Sequence, residues 1–433
     1  MENPSTFDTP CTPNVTVAVV ETTSRLRSDS ANANESQWTG LAPANFTTGA
    51  NAVVRSTARL HARRLKTMVD LAALADDWNR LAGDVPFRRW DWLVPWWRNY
   101  RQASTELFVL AVEDDAGQVI GLAPWYVEPT AGRGRVVRFL GSGEVCSEYL
   151  TILSPPGEQP RVARALGEWL CNEGIESWDL IELIGSESGD PGVRALIDEF
   201  ASREFPIHER AGVNCWSVAL PSTWDEFLAT LNSPRRAKIR QALRKHFDNH
   251  QATTHILTDP AELDYRFEMI VDLHQRRHRG LGQSGCFASR PFTAFHREVS
   301  RRFLEMGKLR LMWTELAGRP IAAEYDFVGA DTVYYYQTGI EPDAIKLGPG
   351  WLGMIGSLKQ AIESGYRTFD FLRGDEAYKT SWGARPRATI EARIVARRAA
   401  ARFRHAIWLA RTNVRRWMKQ GFHLGQKIAG ETD

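Results

Sequence analysis

The chain has 433 residues, 43% hydrophobic and 24% charged, enough to fill the cores of two domains. Its 54 Lys and Arg nearly balance 52 Asp and Glu, and a net charge of +2 gives no general reason for nucleic acid as a partner. Five scattered cysteines with no C-x-x-C pair argue for reduced thiols in a cytoplasmic protein, against a disulfide framework and against a zinc site.

Positions 1–51, rich in Ser, Thr, Asn, Pro and Ala, read as a disordered tail. A first domain is expected over 52–220. It begins with an amphipathic helix over 69–81, with Leu71, Leu74, Trp78 and Leu81 on one face. An aromatic helix over 90–97, turned or kinked near Pro95, follows. Strands over 107–112 and 118–127 form a hairpin about the turn 114–117. Further strands are expected at 136–140 and 149–153, then a helix over 162–171 and a buried strand over 178–184. Most of the 16 Trp are expected to serve packing.

A second domain is expected over 221–396. Its basic helix, 233–246, is capped by Ser233 with Pro234 in first position. This helix reads first as a solvated face and second as a phosphate contact. The next helix ends in Leu273-His274-Gln275-Arg276-Arg277-His278, where His274 could act as a base or simply suit the helix dipole. A hairpin pairs 309–314 with 321–327, and Glu324 and Asp326 share one face of its second strand. Strand 333–338, the glycine loop Gly348-Pro349-Gly350, a helix over 351–363 and strand 368–372 then lead to the turn Arg373-Gly374-Asp375-Glu376.

Both halves share the order hairpin, strand, helix, strand. This predicts an internal duplication and an α/β fold of mixed sheets flanked by helices. Asp179 and Asp370 hold matching places in the two repeats, so Asp370 reads as structural. Asp375, Glu376, Tyr378 and Lys379 have no counterpart in the first repeat and are better candidates for chemistry. Only the second repeat has a glycine loop feeding a helix start, where free N–H groups and the helix dipole suit a phosphate. Positions 397–433 read as a basic amphipathic helix and tail. Phe403, Ile407, Val414 and Trp417 share one face, expected to pack on the body in preference to a peripheral membrane contact.

The glycine loop, the run Phe369-Asp370-Phe371-Leu372-Arg373-Gly374, the residues Asp375-Glu376-Ala377-Tyr378-Lys379 and Trp382 together resemble the CelD-like acetyltransferases associated with bacterial cellulose and exopolysaccharide synthesis. These belong to the GNAT superfamily of acyl-CoA-dependent N-acyltransferases. The loop departs from the superfamily's usual Q/R-x-x-G-x-G/A form. The resemblance implies two tandem GNAT-like domains, a layout shared with the FemABX aminoacyl transferases. It implies acetyl-CoA or another acyl-CoA as co-substrate and a small-molecule amine as acceptor, with no metal.

By the same resemblance, Leu347, Gly348, Pro349, Gly350 and Trp351 would hold the CoA pyrophosphate. The strand carrying Tyr336 and Gln337 would border the thioester. Tyr378 would protonate the leaving thiolate, and Glu324 or Asp326 would take the amine proton. His274, Asp375 and Lys379 complete the catalytic candidates. Two alternatives stay open: a FemABX-type transferase using aminoacyl-tRNA, and a non-catalytic binding subunit of an exopolysaccharide system. The acceptor, the acyl group and the oligomeric state stay open too.

Overall fold

The computed structural model describes residues 58–411; the expected tail (1–51) and positions 412–433, with Val414 and Trp417, lie outside the described residues. The N-terminal half contains β1 (Leu60–Leu65), α1 (Met68–Ala73), α2 (Ala75–Ala82), α3 (Trp90–Tyr100), β2 (Glu106–Leu107), β3 (Val109–Asp114), β4 (Val119–Ala123), β5 (Trp125–Thr130), β6 (Gly134–Phe139), α4 (Gln159–Cys171), β7 (Leu180–Glu187), α5 (Pro191–Ser202) and β8 (Ile207–Ala211). The expected helix 69–81 breaks at Leu74, and α1 starts on a capping box between Thr67 and Asp70. The aromatic helix carries Pro95 in its interior.

Two expectations fail in this half. The stretch 118–127 is two strands, not one. Pro124 separates them, so β4 pairs with β3 in a three-stranded sheet while β5 joins a different sheet beside β6. Residues 149–153 form no strand beyond a single bridge from Leu153 to Leu122, because Tyr149 sits in the left-handed region at φ 61°.

The C-terminal half adds β9 (Cys215–Ala219), α6 (Trp224–Thr230), α7 (Ser233–Ala242), β10 (Ala252–Ile256), α8 (Leu263–Gly280), α9 (Arg290–Glu305), β11 (Leu309–Leu316), β12 (Arg319–Val328), β13 (Thr332–Ile340), α10 (Pro349–Glu363), β14 (Thr368–Arg373), α11 (Ala377–Ser381), β15 (Arg385–Arg387) and β16 (Thr389–Val395). Asn232, not Ser233, caps α7, its side chain accepting from the Arg235 amide. The charged turn expected at 373–376 leads into α11, a short helix that propensity did not reveal.

Two large mixed sheets result, in the orders β2-β5-β6-β7-β16-β8 and β10-β11-β12-β13-β14-β9-β15. The two expected domains, 52–220 and 221–396, exchange strands. β9 pairs with β14 in the C-terminal sheet, and β16 inserts between β7 and β8 in the N-terminal one. The sheets therefore do not divide at 220/221, and β16, inside the expected second domain (221–396), belongs to the N-terminal sheet. A strand buried along nearly its whole length, as β16 is, fits the interior of either sheet.

The largest core runs through both halves. Trp92 of α3 meets Phe295, Phe327 and Tyr336 edge-on, with ring centroids 5.0, 5.0 and 5.5 Å away. A second core lies under α10, built from Leu352, Ile355 and Leu358 against Val333, Phe369 and Phe371. Residues 399–411 are helical, but Phe403 and Ile407 face solvent, against the expected packing of that stripe.

Candidate active site

β13 and β14 run parallel and pair at Thr332/Thr368, Val333/Phe369 and Tyr334/Asp370, then part. Two features open the gap. Tyr335 and Tyr336 of β13 bulge against Asp326 of β12, and Phe371 of β14 bulges against β9. The edge of β13 beyond Tyr334 therefore has no strand partner on that side. A narrow cleft occupies the gap. Tyr335, Tyr336, Gln337 and Thr338 line one side, and Phe371, Leu372, Arg373, Glu376, Tyr378 and Lys379 the other. Glu144, Cys146 and Glu148 close it from the N-terminal half.

Three residues around this cleft, Cys146, Tyr149 and Leu372, hold φ of 47°, 61° and 56°. For side-chain-bearing residues such conformations cost on the order of 1–3 kcal/mol each and persist only where surrounding bonds impose them. Asp370 bonds to two of them. Its carboxylate accepts the Leu372 amide at 2.8 Å and the Tyr149 hydroxyl at 2.5 Å, with Arg387 at 3.3 Å. Burial raises its pKa to about 6. Asp370 is thus a buried acid with its bonds made inside the protein. Its partner in the other repeat is not Asp179. By parallel register the last paired residues are Asp370 with Tyr334 and Glu182 with Arg138.

α10 begins at the C-terminal end of β13. Gly348 is left-handed (φ 68°, ψ 53°), and no side chain caps the helix. Of the five residues expected to offer amides, Pro349 has none. Gly348 donates to Ile345 O and Trp351 to Gly348 O, while Leu347 is half exposed. Gly350 N–H has no backbone acceptor, and a Cβ on Gly350 would meet only Ile340, 3.9 Å away. α7 compensates for this economy of amides. Arg235 stacks on Trp351 at 4.4 Å and on Trp382 at 4.9 Å, and Lys238 lies 5.1 Å from the Trp351 ring. Burial lowers Arg235 to about 10, still charged at neutral pH.

The catalytic candidates separate clearly. Tyr378 lines the cleft, its ring edge-on to Phe371. Burial, then the nearby Glu376 and Glu324, raise its pKa, so the hydroxyl keeps its proton. Gln337 and Tyr336 also line the cleft, but the Tyr336 hydroxyl donates to Val145 O at 2.6 Å and lies 3.1 Å from His296 Nε2. Lys379 lines it only as a clamp. Its Nζ meets the carbonyls of Leu372, Arg373 and Gly374 at 3.1, 2.8 and 3.0 Å and Glu376 at 2.9 Å. Asp375 points elsewhere, accepting from Trp216 Nε1 and Asn214.

Glu324 and Asp326 lie on β12 under α10, where Arg310 reaches Asp326 at 2.5 Å and Glu324 at 3.7 Å. Burial raises both carboxyls, Glu324 to about 7, so the pair keeps a proton at neutral pH. His274 does not line the cleft. It is buried in α8 against Phe287 and His278, and burial lowers it to about 4, which leaves it neutral. Two cleft carboxylates, Glu144 and Glu148, were not anticipated. Glu144 accepts from Tyr100 (2.7 Å) and Ser289 (2.6 Å) through Oε1, whereas Glu148 pairs with Arg373 and Glu376 with Lys379.

Residues 233–380 match the family model described as an acetyltransferase (GNAT) domain. That segment contains the splayed strands, α10 and Tyr378. Among solved structures, the fold is similar to FemX at 13% identity and a TM-score of 0.52, covering 76% of this chain and 96% of that one. A conserved protein from Bacteroides thetaiotaomicron (14% identity, TM-score 0.48, 77% and 99% covered) is also similar. So is a tandem GNAT protein from the clavulanic acid biosynthesis pathway (13% identity, TM-score 0.44, 79% and 100% covered). No curated protein matches the sequence. The fold is mixed α/β and of the GNAT type.

Proposed function

We propose that the chain is an acyl-CoA-dependent N-acyltransferase working at the β13–β14 cleft, with an amine of a sugar or another polar metabolite as acceptor. A role in polysaccharide synthesis belongs to the same reading. The observation that carries it is the parting of β13 and β14 after Tyr334 and Asp370, beside an uncapped helix start, within the segment matched as an acetyltransferase domain.

The residues fit such a co-substrate. The free Gly350 amide, the positive end of α10 and the cations Arg235 and Lys238 would hold its phosphates. The unpaired edge of β13 offers backbone groups to an extended amide-bearing arm. Bound acyl-CoA supplies a thioester. Attack by the neutral amine forms the C–N bond and breaks the C–S bond. Tyr378, kept protonated by burial, gives its proton to the sulfur. Glu144, the cleft carboxylate not paired with a cation among the described residues, takes the amine proton. Glu324 does not line the cleft, but it is near enough for its charge to raise the Tyr378 hydroxyl's pKa, and it can restore that residue's proton.

Calorimetry with acetyl-CoA tests the assignment. The native protein should bind, and Gly350→Asp should lose affinity at least roughly tenfold, since a carboxylate would replace an anion's place at the helix start. The site has open space for the new side chain, so folding should be unaffected. Equal binding by both proteins would sink the proposal. The same titration with aminoacyl-tRNA tests the FemABX-type alternative, and binding without turnover would favour the non-catalytic one.

A further inference from the structure

The helix over 399–411 is held to the body by the side opposite its apolar stripe. Ala401 is buried, and Arg404 lies 3.6 Å from Asp179. Trp408 covers the Arg393 guanidinium at 3.3 Å and stacks on His405 at 5.7 Å. Just before the helix, Arg398 donates to Ile175 O at 2.6 Å and Asp179 at 2.9 Å. Phe403 and Ile407 point away from all of this, 67% and 39% exposed, with Ala406 and Ala410 also exposed.

Charge is segregated in this part of the chain. Positions 392–430 hold ten Lys and Arg and no Asp or Glu, although the whole chain carries only +2. Arg402 and Arg411 are exposed beside the apolar residues.

We propose that this face docks on an anionic lipid surface. Phe403 and Ile407 enter the headgroup region while the flanking guanidiniums meet lipid phosphates. An exposed phenyl and an exposed branched aliphatic chain gain little against an RNA backbone, which rewards the arginines alone. A second copy of the same face would bring like charges together. No helix among the described residues is long and apolar enough to cross a membrane, so the contact is peripheral.

The test is co-sedimentation of the full chain with phosphatidylcholine vesicles and with vesicles that also contain phosphatidylglycerol. Binding should require the anionic lipid and fall at high salt. Phe403→Ser with Ile407→Ser should weaken it at least roughly tenfold, and Arg402→Gln with Arg411→Gln roughly fivefold per charge. Both variants should melt like the native protein, because the altered side chains are exposed. Failure to sediment with anionic vesicles overturns the proposal, and so does binding that ignores Phe403→Ser/Ile407→Ser. RNA binding that survives that double change would reassign the arginines to nucleic acid.

Discussion

β6 and β7 pair in parallel from Val136/Leu180 to Arg138/Glu182 and then part, and β13 and β14 do the same from Thr332/Thr368 to Tyr334/Asp370. The two gaps end differently. In the N-terminal half the chain fills its own opening. The Leu150 amide bonds Gly185 O at 2.9 Å, Ser186 Oγ bonds Leu150 O at 2.5 Å, and Val145, Tyr149 and Leu150 are buried there. In the C-terminal half the opening stays a cleft, and the far side of the same plug supplies Glu144, Cys146 and Glu148 to its wall. The helix starts differ too: α10 begins on a left-handed Gly348, whereas α4 begins on Glu158, whose carboxylate pairs with Arg161 at 2.7 Å. One repeat has become part of the other's site.

The sharpest way to break this comparison is to remove the plug. Gly185 holds φ +85°, and a Cβ there would stand 2.7 Å from Ser147 O. Gly185→Val combines a left-handed β-branched residue with overpacking, each on the order of 1–3 kcal/mol. Chemical denaturation should show a loss of about 2–6 kcal/mol. If the plug is also the cleft wall, acetyl-CoA affinity should fall in whatever protein remains folded. A folded variant that binds acetyl-CoA normally would uncouple the two halves.

Next in size is the contrast inside β14 and the turn after it. Tyr378→Phe removes one hydroxyl from a residue with no counterpart in the first repeat. Turnover should drop roughly 10²-fold while the melting midpoint and acetyl-CoA affinity stay near native. Asp370→Asn should do the opposite, losing about 1–3 kcal/mol of stability through Tyr149, Leu372 and Arg387 while much activity survives. An inactive Asp370→Asn that melts normally, beside an active Tyr378→Phe, would reverse the two roles.

What could be read from sequence follows the range of the interactions. The β13–α10–β14 run was legible because a β-rich strand, a glycine turn and helical periodicity are local signals. The exchange of β9 and β16 was not, since a buried strand carries no mark of which sheet will receive it. The same limit applies to the site. Lys379 and Glu324 had the right chemistry and proximity in sequence. Only the fold shows that one is consumed by three carbonyls and the other faces Arg310 under α10. Glu144 sits in an irregular loop of the opposite half with no motif around it, and no local pattern could have found it.

The smallest predicted effect concerns Glu324, buried beside Arg310 under α10. Burial lifts its pKa from 4.5 to about 7. The folded protein therefore holds this proton more tightly than the unfolded chain does. By linkage, that contribution to stability is full below pH 4.5 and is lost as pH rises through about 7. Asp326 and Arg310 share the charge, so the change between pH 5 and 8 should be on the order of 2 kcal/mol. Glu324→Gln cannot titrate and keeps a similar shape against Arg310 and Ser357. Its melting midpoint should fall less than the native one over that range, and the two curves should converge at the acid end. If Glu324 also resupplies Tyr378, turnover of the variant should lose part of its pH dependence near 7 while the acetyl-CoA affinity holds. Parallel melting curves for the two proteins would mean that Glu324 is ionised throughout, locked to Arg310, and plays no part in the proton path.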